Sequence, residues 1–252
     1  MAFIEIHNVT KHYSANGAGE GAAVLRDVSL AVEEGEFVLI VGPSGSGKST
    51  LLTVLGSMNQ PSRGHVLIDG VSVYDLSPER RADFRREYVG FVFQQLQLVP
   101  YLTALENATL PLSISRLSNS AQAERAHEAL RRVGLETKAH RLPGALSGGE
   151  QERVAIARAI VNHPPLILGD EPTGSLDSKT GKEIMELFRE LNQSGLTICM
   201  VSHNPENARY ASRIIRLIDG TVVEDSRHLL RTPPLVAVNS PEFQDLDKGE
   251  RV

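Results

Sequence analysis

The run Gly42-Pro43-Ser44-Gly45-Ser46-Gly47-Lys48-Ser49, with Thr50 behind it, constrains this chain more than any other segment. It fits G-x-x-x-x-G-K-[ST], the pattern of a backbone loop that wraps phosphates. Its flanks fit as well. The apolar run Glu36-Phe37-Val38-Leu39-Ile40-Val41 before it reads as a buried strand, and residues 49–55 after it read as a helix. Glycines let the backbone curl so that successive N–H groups point inward, and the helix N-terminus adds partial positive charge at the same place. Lys48 can reach the β- and γ-phosphates, and the Ser49 hydroxyl can ligate Mg²⁺. The pattern implies a bound nucleotide, and the strand and helix around it imply an α/β fold.

The rest of the chain supports one α/β domain with attachments. Strands are predicted over residues 3–6, 24–30, 88–93, 166–168, 197–201, 213–218 and 221–224, and a hairpin turns at Asp69-Gly70. A Gly/Ala-rich loop covers 15–22. Ser77-Pro78-Glu79 opens a helix running to about 87. Periodicity turns helical from 103 to about 141, with Ala126, Ala129, Leu130 and Val133 on one face. Further helices are expected at 149–162 and 179–193. The expected layout is an ATPase domain over 1–225, a helical subdomain inserted at about 95–162, and a loosely ordered tail over 226–252.

Charge narrows the partners. With 26 Lys and Arg against 31 Asp and Glu, the formal net charge is −5, which argues against a protein built to hold nucleic acid. Cys199 stands alone in the apolar run Thr197-Ile198-Cys199-Met200-Val201, so it reads as a buried thiol in a reducing compartment. No apolar stretch approaches the roughly 18 residues needed to span a bilayer, and no targeting segment is visible.

Two more segments carry chemistry. Leu166-Ile167-Leu168-Gly169-Asp170-Glu171 is an apolar strand ending in two acids. Behind a phosphate loop, Asp170 is placed to complete the Mg²⁺ environment, and Glu171 to orient or deprotonate an attacking water; alone, the pair could equally cap a helix. Leu146-Ser147-Gly148-Gly149-Glu150-Gln151-Glu152-Arg153 precedes the helical run 154–160. Ser147, Gly148, Gly149 and Glu150 can form a second phosphate grip at a helix N-terminus, or merely its cap.

Taken together, these motifs resemble an ABC transporter nucleotide-binding domain over about nine-tenths of the chain. The resemblance implies an α/β P-loop NTPase core with an antiparallel β subdomain and an inserted α-helical subdomain. It also implies a dimer in which the 147–150 signature of one subunit closes on ATP held by the phosphate loop of the other. Tyr13 resembles the aromatic residue that stacks on adenine, and Gln94 the glutamine that contacts Mg²⁺ and water and senses the membrane partner. Asp177, in Ser175-Leu176-Asp177, resembles the acid that communicates across the dimer. His203 resembles the histidine that holds the γ-phosphate and the attacking water. Catalysis is thereby expected to fall to Glu171, His203, Gln94 and Lys48, with Ser49, Gln94 and Asp170 around the metal.

The segment 91–107, together with Glu171-Pro172-Thr173-Gly174-Ser175-Leu176-Asp177 and Leu55-Gly56, resembles the lipoprotein-release and macrolide-export (LolD- and MacB-like) group. Ser57-Met58-Asn59-Gln60 and the long tail depart from it. The group implies an integral-membrane permease with a large extracytoplasmic domain as partner, at the cytoplasmic face of the plasma membrane, and leaves a periplasmic adaptor open. Residues Leu96, Leu98, Val99, Tyr101 and Leu102 could dock that permease or fill the interface between core and helical block; a split between the two is expected. The alternative is a soluble ABC-type ATPase acting in DNA repair or translation. It fits less well, because about a hundred residues between the two motifs leave no room for a long coiled coil, and the chain has room for one such domain.

Overall fold

The computed structural model describes residues 2–13 and 21–227. In chain order its elements are β1 (Ile4–His12), β2 (Ala23–Val32), β3 (Phe37–Val41), α1 (Lys48–Leu55), β4 (Arg63–Ile68), β5 (Val71–Ser72), α2 (Pro78–Tyr88) and β6 (Val89–Val92). There follow α3 (Ala104–Thr109), α4 (Asn119–Arg132), α5 (Gly148–Ile160), β7 (Leu166–Asp170), α6 (Ser178–Gln193), β8 (Thr197–Val201), β9 (Arg213–Ile218) and β10 (Thr221–Arg227).

Six strands form one sheet in the order β10-β9-β3-β8-β7-β6, parallel except for β10 on its edge. The other four make an antiparallel sheet, β2-β1-β4-β5. Because the parallel sheet is covered on both faces, its central strands β3, β8 and β7 are almost continuously apolar, and the two-residue alternation of side chains sorts them into two cores. Phe37 and Leu39 of β3, Ile167 of β7, and Ile198 and Met200 of β8 enter the core shared with α3, α4, α5 and α6. Val38, Ile40, Leu166, Leu168, Cys199 and Val201 enter the other, built with α1, α2 and the antiparallel sheet. Cys199 is buried, and burial pushes its thiol up to about 12, far from thiolate formation at neutral pH.

Three elements differ from the sequence expectation. Tyr88, read as the start of a strand, ends α2, where its ring stacks on Phe84 one turn earlier at 4.5 Å. The helical stretch from 103 onward breaks after Thr109 into a 3-10 turn at Leu110–Leu112, because Pro111 cannot continue the α-helical hydrogen bonding. The last strand runs to Arg227 rather than 224, held by pairing of Ser226 with Ile214 and Arg227 with Arg213. The buried Arg213 guanidinium fastens it further, donating to both carboxylate oxygens of Asp225 at 2.7 Å. Most of the expected Gly/Ala-rich loop and the chain from 228 lie outside the described residues.

This topology brings one edge of the sheet into line. Ile40 pairs with Val201, and Val201 with Asp170, so the carboxyl ends of β3, β8 and β7 are level. The phosphate loop, His203 and Glu171 follow those three ends directly, at the edge where open α/β sheets place their ligands.

Candidate active site

The loop after β3 owes its shape to residues that a side chain would spoil. Gly42, Gly45 and Gly47 all have positive φ, and α1 starts immediately after Gly47 at φ 99. A Cβ on Gly42 would stand 2.0 Å from the Leu217 carbonyl oxygen, and one on Gly47 would stand 2.6 Å from that of Val24. Neither position admits a larger residue without moving backbone. Lys48 is 9% exposed and donates through Nζ to the carbonyls of Gly42 at 3.0 Å and Pro43 at 2.9 Å, so its charge lies within the loop. The buried Ser46 hydroxyl has no hydrogen-bond partner there. A cradle with an orphaned hydroxyl, an enclosed ammonium and the amino end of a helix fits a polyphosphate.

Ser44, Gly45, Gly47, Lys48, Ser49 and Thr50 line an open cleft of about 390 Å³. Gln94, Glu171 and His203, from the ends of three other strands, line the same cleft. Gly42, Pro43 and Ser46 shape the loop from behind. Val24 and Val201 also face the cleft, and nothing local in the sequence marked them, because β2 and β8 reach it only through the tertiary fold.

Ser49 Oγ donates to Asp170 Oδ1 at 3.0 Å, tying the loop to the end of β7. Burial raises the Asp170 pKa, and the neighbouring Glu171 charge adds to that; the Ser49 hydrogen bond and Lys48 oppose it. A half-buried carboxyl beside a hydroxyl is an oxygen donor set of the kind Mg²⁺ takes. Glu171 sits at φ 51, a left-handed conformation that is uncommon for glutamate and typical of residues held for function. Its Oε2 accepts from the His203 backbone N–H at 3.2 Å and meets Nδ1 of the same residue at 2.8 Å. The Glu171 side chain is 12% exposed and that of His203 67%.

The remaining expected residues stand elsewhere. Ser147 N-caps α5 in a full capping box: its hydroxyl accepts from the Glu150 N–H at 3.3 Å, and Glu150 accepts from the Ser147 N–H at 2.9 Å. Glu150 also pairs with Lys138, and these contacts hold its pKa below the usual carboxylate range. Asp177 N-caps α6, accepting from the N–H groups of Lys179 at 3.0 Å and Thr180 at 3.1 Å. These two helix starts touch, since a Cβ on Gly149 would lie 2.3 Å from Thr180 Cγ2. Ser147, Gly148, Gly149, Glu150 and Asp177 do not line the Lys48 cleft of their own chain. Tyr13 does not line it either; it is half exposed, its hydroxyl held by Asn59 Nδ2, with Lys11 Nζ 5.2 Å from the ring centre. Asn59 is a neighbour that the sequence reading did not assign.

Of the apolar stretch behind Gln94, Leu98 packs against the core, while Tyr101 is 79% exposed. Among the described residues, no helix is long and apolar enough to cross a membrane.

Comparison with known proteins agrees with this geometry. Residues 25–174 match the family described as ABC transporter. An uncharacterized ABC transporter ATP-binding protein of Methanocaldococcus jannaschii, MJ1508, is 48% identical over 222 residues, covering 88% of this chain and 98% of the relative. The macrolide export ATP-binding/permease protein MacB of Escherichia coli is 45% identical over 223 residues, but the chain spans only 34% of that relative's length. Among solved structures, a dimeric post-hydrolysis state of the ATP-binding cassette MJ0796 bound to ADP and Pi matches with a TM-score of 0.80 at 46% identity, covering 89% of this chain and 98% of that one.

Proposed function

The chain belongs to the ABC transporter family, as an ATP-binding subunit and ATPase of the group that includes the macrolide-export components, and on that premise we propose how its residues divide the work. Two copies close face to face on two ATP molecules. Each triphosphate lies between the phosphate loop of one copy and the Ser147–Gly149 helix start of the other. One observation carries this reading: Lys48, Glu171 and His203 share a cleft, while a second glycine-rich helix N-terminus in the same chain lies outside it, with Ser147 and Gly148 exposed. A second anion grip that cannot serve its own site is suited to serve another's.

Within a closed site, the backbone N–H groups of residues 44–49 and Lys48 bind the phosphates. Ser49, Asp170 and Gln94 would hold Mg²⁺, which supplies charge neutralisation for the transferring phosphoryl group. Glu171 takes a proton as water attacks the γ-phosphorus and the bond to the ADP oxygen breaks. His203 orients Glu171 and meets the γ-phosphate. Tyr13, held by Asn59 beside Lys11, stacks on adenine. Asp177 keeps the start of α6 packed on the start of α5, so the signature and the 175–177 loop move together. Completion of the site by the partner makes hydrolysis conditional on closure.

The output is motion delivered to an integral-membrane permease with a large extracytoplasmic domain. Support comes from relatives that carry a permease in the same polypeptide, of which this chain covers about a third. On this reading the chain lies peripherally at the cytoplasmic face of the membrane and drives export or mechanical transmission. Nothing in the comparisons favours the DNA-repair or translation alternative. The test is Glu171→Gln, which retains ATP binding, nearly abolishes turnover, and copurifies with the permease as a closed pair in Mg-ATP. Unchanged turnover removes Glu171 as the base.

A further inference from the structure

α5 carries two charged side chains that the nucleotide chemistry above does not use. Glu152 is 3% exposed, and its Oε1 has no hydrogen-bond partner. A buried acid left this way is costly, and such a group in a native fold calls for a reason. Six residues on, Arg158 reaches out to the segment that follows Gln94. Its Nη2 donates to the Leu96 carbonyl at 2.6 Å and its Nη1 to the Gln97 carbonyl at 2.8 Å. Gln97 itself is in the left-handed region at φ 50. One guanidinium therefore fastens the backbone behind Gln94, and it belongs to the helix whose first turn is the signature.

The electrostatics of the two groups are linked. Burial pushes Glu152 up to about 8, and the Arg158 charge is what opposes that rise. Burial also lowers Arg158, with Glu152 opposing. Several other charges on and around α5 are engaged elsewhere. Glu106 of α3 closes its capping box with Thr103, Glu128 of α4 pairs with Arg131, and Arg153 faces Glu183 of α6 at 3.9 Å. β6, Val89-Gly90-Phe91-Val92, has no charged residue. Burial thus favours the neutral acid at Glu152, while the guanidinium whose charge opposes that is bonded to the Leu96 and Gln97 carbonyls.

We propose that Glu152 is a second seat for the Arg158 guanidinium, and that exchange between the two seats fastens and releases the segment behind Gln94. In one arrangement Arg158 holds the carbonyls of Leu96 and Gln97. In the other it pairs with the Glu152 carboxylate, Glu152 having given its proton to water, and the segment is let go. Two hydrogen bonds from the guanidinium to neutral carbonyls are exchanged for one pair with a carboxylate, and such a balance can be tipped by a small movement of α5. Because Ser147 caps the first turn of α5, arrival of a phosphate at the signature is suited to move the helix and tip the balance. Both residues are positioning residues: they act on Gln94 and touch no substrate. The inference rests on the placement of Gln94 at the nucleotide.

The test compares the full chain with Glu152→Gln, Arg158→Met and the double variant, measuring thermal unfolding, KM for ATP and kcat. Glutamine fills the same space without a carboxylate to seat Arg158. If Glu152 works as proposed, Glu152→Gln unfolds at the same or a higher temperature and keeps KM within about twofold, yet loses at least about fivefold in kcat. The double variant is no slower than Arg158→Met, since Glu152 acts only through Arg158. A merely packed Glu152 gives wild-type kcat in Glu152→Gln, or losses that multiply in the double variant; either result overturns the proposal. Should Arg158→Met not fold, Arg158→Lys, which can grip one carbonyl but not two, takes its place in the cycle. Glu171→Gln in the same assay separates the two readings. If it fails to stop turnover, the site assignment is at fault; if it stops turnover while Glu152→Gln is normal, only this inference fails.

Discussion

Glu171 Oε2 is bound twice by one residue, through the backbone N–H of His203 at 3.2 Å and through its Nδ1 at 2.8 Å. With a carboxylate as acceptor, the ring proton sits on Nδ1, which leaves Nε2 as the nitrogen that meets a ligand. The two residues come from the ends of adjacent strands β7 and β8, and the 2.8 Å contact aligns an acid that already occupies a strained backbone position. His203→Ala should therefore lower kcat by about 10²–10³-fold. Nucleotide affinity should change far less, because the phosphate loop is untouched. Phosphate-release kinetics beside nucleotide titration check this, and equal losses in both would assign His203 to binding.

Gly47→Ala should damage both fold and binding. The residue has φ 99, and an added methyl would meet the Val24 carbonyl at 2.6 Å. Left-handed backbone costs a non-glycine residue about 1–2 kcal/mol, and displacing the Val24 carbonyl adds to that. A loss of at least about 2 kcal/mol in denaturant unfolding is expected, with nucleotide affinity reduced by about tenfold or more. Gly35, with positive φ and nothing within 4 Å of an added Cβ, is the control for strain without a clash.

Asp170→Asn isolates the metal. Burial and Glu171 already raise the Asp170 pKa, so a neutral amide costs the fold little. It should nevertheless raise the Mg²⁺ concentration for half-maximal turnover by about 10–100-fold. Chelation of Mg²⁺ should stop turnover of the wild-type chain reversibly. An unchanged Mg²⁺ requirement in Asp170→Asn would move the metal to other ligands.

Glu152 also makes a prediction about stability against pH. Its folded pKa of about 8 lies above that of an unfolded glutamate, so between those two values the folded chain binds more protons than the unfolded one. Stability contributed by the neutral acid is fully present below the unfolded value and is lost as pH rises through about 8. Glu152→Gln removes that dependence. Its advantage over wild type should grow from about pH 5 to pH 8 and then level off, reaching a few kcal/mol. Denaturant unfolding of both proteins across this range measures it.

The sequence was most informative where chemistry is local in the chain. Gly42 to Ser49, Asp170 with Glu171, and the Ser147 to Glu150 run are each contiguous, so spacing alone located them. What it could not weigh was whether Ser147 caps a helix or grips a phosphate, and the capping box shows that the first role is filled without excluding the second. Tyr88 misled because an aromatic beside Val89-Gly90-Phe91 has strand character, whereas stacking on Phe84 one turn back holds it in α2. Val24, Asn59 and the Leu217 carbonyl against Gly42 were illegible for a different reason: each reaches the site from a distant strand or turn, and no local pattern marks such a contact. In the apolar stretch after Gln94, Leu98 packs against the core, one of the two roles open to that stretch, and Tyr101 lies outside it.

The central claim is that two half-sites from different copies meet on one triphosphate. The most direct measurement is sedimentation of the Glu171→Gln chain with saturating Mg-ATP, beside the same chain carrying Gly148→Asp as well. One chain is 27.5 kDa. The account predicts a doubled mass for Glu171→Gln alone, and a single-chain mass, with ATP still bound, once an acid occupies the signature. A single-chain mass for Glu171→Gln at full ATP occupancy, or pairing indifferent to Gly148→Asp, would contradict it.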